Sequence, residues 1–196
     1  MIWVKVCGLT TVDDVSAAVS SGADAVGFVN VPSSPRFISF ERAAALAAGV
    51  PVETVLLTMD REPDEVLEIL EGSPLTGVQP YGRHRLETAR AAAGAGYLVL
   101  FPSVPGAEIV SAPGIPLLDN ASKAGLGGTG TAFDWTLTAG VTRDFVLAGG
   151  LGADNVAEAV RRVRPWGVDA SSRLEKSPGH KDHGMVAAFI EKAKNT

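Results

Sequence analysis

Eight short, mostly apolar runs recur along the 196 residues, alternating with Ala-rich helical segments, and this alternation limits the folds open to the chain. The runs Trp3–Val6, Ala25–Val29, Thr54–Met59, Gly77–Gln79, Tyr97–Phe101, Pro116–Asp119, Phe145–Ala148 and Val168–Ala170 read as strands. They lack a clean apolar–polar alternation, as expected of strands covered by protein on both faces. Between them, Val12, Val15 and Val19 mark one helical face at i, i+3, i+7. Ser39 can cap a helix running to about Ala48, and Pro63 suits the first turn of another. Arg83–Ala95 is helical, Val156, Ala159, Val160 and Val163 give an amphipathic helix, and Lys181–Lys194 closes the chain by burying Val186, Phe189 and Ile190. Eight such units predict an α/β fold, a single compact (β/α)8 barrel spanning residues 1–196, with a doubly wound open sheet as the alternative. The chain is short against the roughly 250 residues typical of such barrels, so some helices must be reduced. Pro102–Ile115, rich in Pro, Ser, Gly and Ala, is where a fifth helix is expected to be short or missing. No linker, low-complexity tract or second domain is evident.

The composition, 46% hydrophobic and 20% charged, is that of one sizeable core and excludes a mostly disordered chain. A formal net charge of −5 without any Lys/Arg cluster argues against nucleic acid as a partner. One cysteine cannot form an internal disulfide, which fits a reducing compartment. The N-terminus lacks the basic-then-apolar pattern of a signal peptide, and no apolar run reaches the roughly 18 residues of a membrane span. The expectation is a cytoplasmic, monomeric protein with no membrane partner.

In a parallel barrel, ligands bind at the C-terminal ends of the strands. The first strand ends in Cys7, the second leads to Ser34-Pro35-Arg36, the sixth ends in Asp119-Asn120, the seventh in Gly149-Gly150 and the eighth in Asp169-Ala170-Ser171-Ser172. Two proton-transfer groups, a guanidinium and small-residue loops therefore fall on one rim. Taken alone, Cys7 could be a small buried hydrophobe, and Asp119 could be a turn or helix cap. Partial desolvation behind the apolar Pro116-Leu117-Leu118 would instead suit Asp119 to donate a proton, and a Cys7 thiolate could accept one. Such a pair permits isomerase chemistry with neither metal nor organic cofactor.

Gly127-Gly128-Thr129-Gly130, Gly149-Gly150 and Ser171-Ser172 suggest a phosphate cradle of backbone N–H groups, although isolated glycines more commonly serve turns. Gly125–Gly130 also fits G-x-G-x-x-G, but it follows the sixth strand instead of opening a βαβ unit. His180 and His183 resemble metal ligands only in their spacing, with no third ligand, and read as a solvated helix start. Trp3, Trp135 and Trp166 read as packing residues.

At these residues the chain resembles the phosphoribosylanthranilate isomerase family of tryptophan biosynthesis. The resemblance is carried by Lys5-Val6-Cys7-Gly8-Leu9-Thr10, Ser34-Pro35-Arg36-Phe37-Ile38, Leu118-Asp119, Gly127-Gly128-Thr129-Gly130 with Phe133-Asp134-Trp135, Leu147-Ala148-Gly149-Gly150-Leu151, Asn155-Val156, Gly167-Val168-Asp169-Ala170-Ser171-Ser172 and Lys181-Asp182. It implies an Amadori rearrangement of N-(5-phosphoribosyl)anthranilate to 1-(2-carboxyphenylamino)-1-deoxyribulose 5-phosphate, a small phosphosugar substrate. By the same resemblance Asp119 is the general acid at the furanose ring oxygen and Cys7 the general base at C2. Arg36 holds the anthranilate carboxylate, and Asp169 lies near the substrate amine. Gly128, Gly149, Gly150, Ser171 and Ser172 hold the phosphate, with Arg173 assisting through its backbone N–H or its charge.

The chain departs from the family pattern twice. Gln79-Pro80-Tyr81-Gly82 stands where the family has Gln-Leu-His-Gly, leaving Tyr81 without an assigned role. Arg173 replaces the glycine of Ser-Ser-Gly, a change that would be strained if the position required a positive φ. Two other readings compete: the analogous isomerisation of histidine biosynthesis, which characteristically has Asp at the first-strand position, and a non-catalytic phosphosugar-binding barrel.

Overall fold

The computed structural model describes residues 1–103, 113–119, 135–138 and 141–196. Eight parallel strands, β1 (Trp3–Cys7), β2 (Ala25–Asn30), β3 (Glu53–Met59), β4 (Gly77–Tyr81), β5 (Leu98–Ser103), β6 (Ile115–Leu118), β7 (Val146–Leu147) and β8 (Gly167–Ala170), form a barrel in sequence order. The barrel closes where β1 pairs with β8, from Trp3 opposite Gly167 to Val6 opposite Ala170. The open-sheet alternative is thereby ruled out. Each of the eight runs read from the sequence is a strand, with ends shifted by a residue or two.

Alternation along each strand divides the core. Outward residues such as Val4, Val6, Val26, Leu56, Val78, Leu118 and Leu147 pack beneath the helices. Inside the barrel, Val55, Leu100, Leu117, Val146 and Ala148 fill the floor. Trp3 stacks on Trp166 there, with ring centroids 5.1 Å apart, so both rings pack as expected. Farther up the same inward faces, apolar side chains give way to Lys5, Cys7, Gln79 and Asp169, and a polar site sits on an apolar plug.

The described residues contain six α-helices: α1 (Val12–Ser20), α2 (Phe40–Ala47), α3 (Pro63–Glu71), α4 (Arg85–Gly94), α5 (Val156–Val163) and α6 (His183–Lys194). Thr11, Ser39 and Asp182 cap α1, α2 and α6 by accepting from Asp14, Arg42 and Met185 backbone N–H groups at 3.1, 3.2 and 3.0 Å. Pro63 opens α3, where its missing N–H costs no helical bond. The position expected for a short or missing fifth helix lies mostly outside the described residues. Between β6 and β7 the described residues form a 3₁₀ turn, Trp135–Thr138, whose Trp135 ring lies 5.6 Å from the Arg162 guanidinium of α5.

Two expectations change. Val12, assigned to the buried face of α1, is exposed, and the buried residues are Asp14, Val15 and Ala18. As the first residue of the helix, Val12 precedes the turn that meets the barrel. The last helix begins at His183 and not at Lys181, because Lys181 belongs to an antiparallel hairpin of β9 (Glu175–Ser177) and β10 (His180–Lys181). Pro178-Gly179 turns this hairpin, with Gly179 at φ 81°. His180 is an exposed hairpin residue, and His183 Nε2 lies 2.9 Å from Asp14 Oδ1 of α1.

Leu56, fully buried between β3 and the helical layer, tests this packing. Leu56→Ala is expected to lower stability by about 2–5 kcal/mol in urea unfolding. An unchanged midpoint would show that the helices are not clamped on this face.

Candidate active site

The C-terminal mouth of the barrel holds a cleft lined by Cys7, Val29, Ser34, Arg36, Leu57, Gln79, Tyr81, Asp119, Asp169 and Ser171. Five of the residues singled out from the sequence thus meet in one cavity: Cys7 from β1, Arg36 after β2, Asp119 just past β6, and Asp169 and Ser171 from β8 and its end.

Lys5 stands two residues before Cys7 on the same inward face and is fully buried. Its Nζ lies 3.0 Å from Asp169 Oδ2 and donates to Gln79 Oε1 at 2.9 Å. Burial alone would push the ammonium towards neutrality, but Asp169 and Cys7 together outweigh it and hold Lys5 above its ordinary value. The other carboxylate oxygen, Asp169 Oδ1, is buried with no hydrogen-bond partner among the described residues. At Gly27 a Cβ would stand 2.8 Å from Cys7 Sγ and 3.0 Å from Lys5 Cε, so thiol and lysine pack against the same bare backbone. Burial pushes the Cys7 thiol up, and Asp169 adds to the rise. The ammonium groups of Lys5 and Lys181 oppose this without overcoming it. Burial therefore wins, and Cys7 is held as the thiol.

A second cluster fixes the rim. Glu175, in β9, receives Arg36 on both carboxylate oxygens, at 2.7 and 2.8 Å, and Lys181 Nζ at 2.8 Å. Lys181 also donates to Ser171 O at 3.0 Å. Burial raises the Glu175 carboxyl, but hydrogen bonds from Arg36 and Lys181 more than reverse this and hold it below its ordinary value. The Glu175 fork sets the plane of the Arg36 guanidinium. Gly8, at φ 77°, completes the fit: a Cβ there would meet Arg36 Cδ at 2.6 Å and Ser171 Oγ at 2.9 Å.

The loops expected to bind phosphate lie side by side. Gly149 and Gly150 adopt φ 81° and 65°, conformations that favour glycine. Asn155 Nδ2 and Arg173 Nη1 both donate to Gly150 O, at 3.0 and 2.9 Å, joining the loop after β7 to the one after β8. Arg173 Nη2 also donates to Asp154 Oδ2 at 2.7 Å, so its charge is already engaged. Arg173 sits in the 3₁₀ turn Ser172–Leu174 and is not among the residues with positive φ, so the strain considered for this substitution does not arise. Gly128 and the rest of Gly127–Gly130 lie outside the described residues.

The sequence reading gave no role to Lys5, Gln79, Tyr81, Glu175 or Lys181. For the first three a signal was present, since a charged or polar residue inside an apolar strand, two positions from a rim residue, points to the same interior.

A closed parallel barrel whose mouth gathers a thiol, two carboxyls and a seated guanidinium has the equipment of a TIM-barrel enzyme that moves protons. The family model for N-(5'-phosphoribosyl)anthranilate (PRA) isomerase matches residues 4–192, and the chain belongs to this family, whose members are isomerases of tryptophan biosynthesis. The isomerase of Dechloromonas aromatica is 42% identical over 201 residues, covering 95% of this chain and 93% of its own. The phosphoribosyl anthranilate isomerase of Thermotoga maritima superposes with a TM-score of 0.87 at 36% identity over the whole of both chains. A phosphoribosyl anthranilate isomerase in complex with reduced 1-(o-carboxyphenylamino)-1-deoxyribulose 5-phosphate gives 0.85 at 35% identity, also over both full chains.

Glu175 makes a pH-dependent prediction. A carboxyl held below its ordinary value stabilises the fold fully above the unfolded carboxylate pKa, and that contribution fades as pH falls through the lowered value. The melting temperatures of wild type and Glu175→Gln should therefore differ most near neutrality and converge on acidification. Calorimetry across that range checks this, and a constant difference would contradict it.

Proposed function

We propose that this barrel isomerises N-(5'-phosphoribosyl)anthranilate by general acid/base catalysis, with Cys7 and Asp119 as the working pair and residues 1–196 as one catalytic domain. The observation that carries the assignment is that a thiol on β1 and a carboxyl past β6, 112 positions apart by number (119 − 7), line one cleft.

Asp119 gives its proton to the furanose ring oxygen. The C1–O bond breaks, the oxygen keeps the electron pair, and the anilino nitrogen supplies its lone pair to form a protonated Schiff base. Cys7 then takes the proton from C2; the C–H electrons form a C1–C2 double bond, and the nitrogen recovers its pair. The resulting enolamine gains a proton at C1 and loses one from the C2 hydroxyl, giving the ketone. The resting thiol gives up its proton to solvent before this step, and the cationic nitrogen formed on ring opening lowers the cost of the thiolate beside it.

Arg36 holds the anthranilate carboxylate, presented at a fixed angle by Glu175. Asp169 accepts from the substrate amine through Oδ1, the oxygen that Lys5 does not hold. Phosphate lies between the loops containing Gly149, Gly150, Ser171, Ser172 and Arg173. Because Arg173 is already paired with Asp154, its part is to tie the two loops together.

The rearrangement moves protons within one molecule, so side chains suffice for it. A monomer is proposed as the working unit, although the Thermotoga maritima isomerase is dimeric. No helix among the described residues is long and apolar enough to cross a membrane, and with its single cysteine the chain suits work in the cytoplasm.

Purified protein should consume phosphoribosylanthranilate with loss of its anthranilate fluorescence. Cys7→Ser and Asp119→Asn should each lower kcat by about 10²–10⁴-fold. The wild-type kcat/KM should climb with pH on the alkaline side as the raised thiol ionises, and Cys7→Ser should lose that limb. Full turnover in both variants would sink the assigned roles.

A further inference from the structure

Tyr81 belongs to the tetrapeptide in which this chain departs from its family's pattern, and it lines the cleft that holds Asp119. The orientation of its hydroxyl follows from a residue on β1, three strands away round the barrel. An ammonium has three donors and no acceptor, so the Gln79 atom that meets Lys5 Nζ at 2.9 Å must be the amide oxygen. The amide NH₂ of Gln79 is then the end facing Tyr81, and it donates to the phenolic oxygen at 2.9 Å.

A phenol has one proton. With its oxygen accepting from Gln79, that proton points away from Gln79. Gln79 and Tyr81 lie two apart on β4, both facing the barrel interior, with Tyr81 at the strand's end towards the mouth. Away from Gln79 is therefore into the cleft. Burial holds the phenol well above its ordinary value, so it remains a donor throughout the working pH range. Lys5 thus acts through Gln79 to turn Tyr81 into a directed donor on the cleft wall it shares with Asp119.

We propose that Tyr81 is a further catalytic residue, donating a hydrogen bond to the sugar oxygen that Asp119 protonates. This rests on the general-acid role of Asp119. As the C1–O bond breaks, the departing oxygen gains electron density and has two lone pairs to offer. One takes the proton of Asp119. The other accepts from Tyr81, which keeps its own proton throughout. The interaction strengthens as charge develops on the oxygen, so its effect falls on kcat and little on KM.

Tyr81→Phe removes the hydroxyl and keeps the ring. It should lower kcat by about 10- to 100-fold, with KM within about threefold and the melting temperature within a few degrees. Gln79→Glu is the companion variant. It gives Tyr81 a carboxylate to donate to, turning the phenolic proton out of the cleft while Lys5 keeps an acceptor. It should lower kcat to a similar degree in the Tyr81 protein and cost little more in the Tyr81→Phe background. If Tyr81→Phe fails to fold, Gln79→Glu alone still decides, because the hydroxyl remains but is turned away. Wild-type kcat in Tyr81→Phe, or equal losses from Gln79→Glu in both backgrounds, overturns the proposal. Asp119→Asn measured alongside separates the two levels. A loss there with none in Tyr81→Phe removes only Tyr81, whereas full activity in Asp119→Asn removes the underlying assignment.

Discussion

The chemistry of this barrel is arranged around one charge that water never reaches. Lys5 is fully buried inside the strands, where an unpaired ammonium would cost several kcal/mol. Its compensation comes from Asp169 on the adjoining strand β8 and from Gln79 of β4, farther round the barrel. Each partner is thereby fixed in a way that matters at the mouth. Asp169 is held by one oxygen and turns the other free of Lys5, and Gln79 is held by its carbonyl and points its amide at Tyr81. Cys7 shares with Lys5 the space over Gly27, so the thiol is seated by the same packing. A buried ion pair is weak evidence of stability, and here its product is orientation.

The rim is organised on a different principle. Glu175 gathers Arg36 and Lys181 on one carboxylate, tying the loop after β2 to the hairpin before α6 and, through Lys181, to Ser171. The lower network joins barrel strands, whose relative positions are set by the ladder. The upper one joins segments that no strand ladder fixes, so charge-assisted hydrogen bonds supply the geometry. Arg36 shows the consequence, since a guanidinium meant for a planar carboxylate gains most when its own plane is set in advance.

The barrel was legible because its signal is periodic and local. Eight apolar runs with helical segments between them name the fold even when strand ends drift by a residue, and helix-start residues such as Ser39 and Pro63 act through neighbours a few positions away. The rim residues Cys7, Arg36, Asp119, Asp169 and Ser171 were legible for the same reason, since strand ends follow from the strands. Glu175 and Lys181 were not, because the hairpin that pairs them is too short for an alternation pattern and Lys181 reads as the start of the next helix. Tyr81 was visible as a departure but mute. Its meaning depends on which end of the Gln79 amide faces it, and that is decided by Lys5, 74 positions earlier.

Gly8 gives these arrangements an evolutionary reading. A missing methyl there lets Arg36 and Ser171 close over the first strand. The pieces expected to recognise opposite ends of the substrate, carboxylate and phosphate, thus share one small volume. A lineage adapting this barrel to a longer or shorter ligand could not lengthen one anchor without shifting the other, so new specificities would arise by coordinated change in both loops and not one residue at a time.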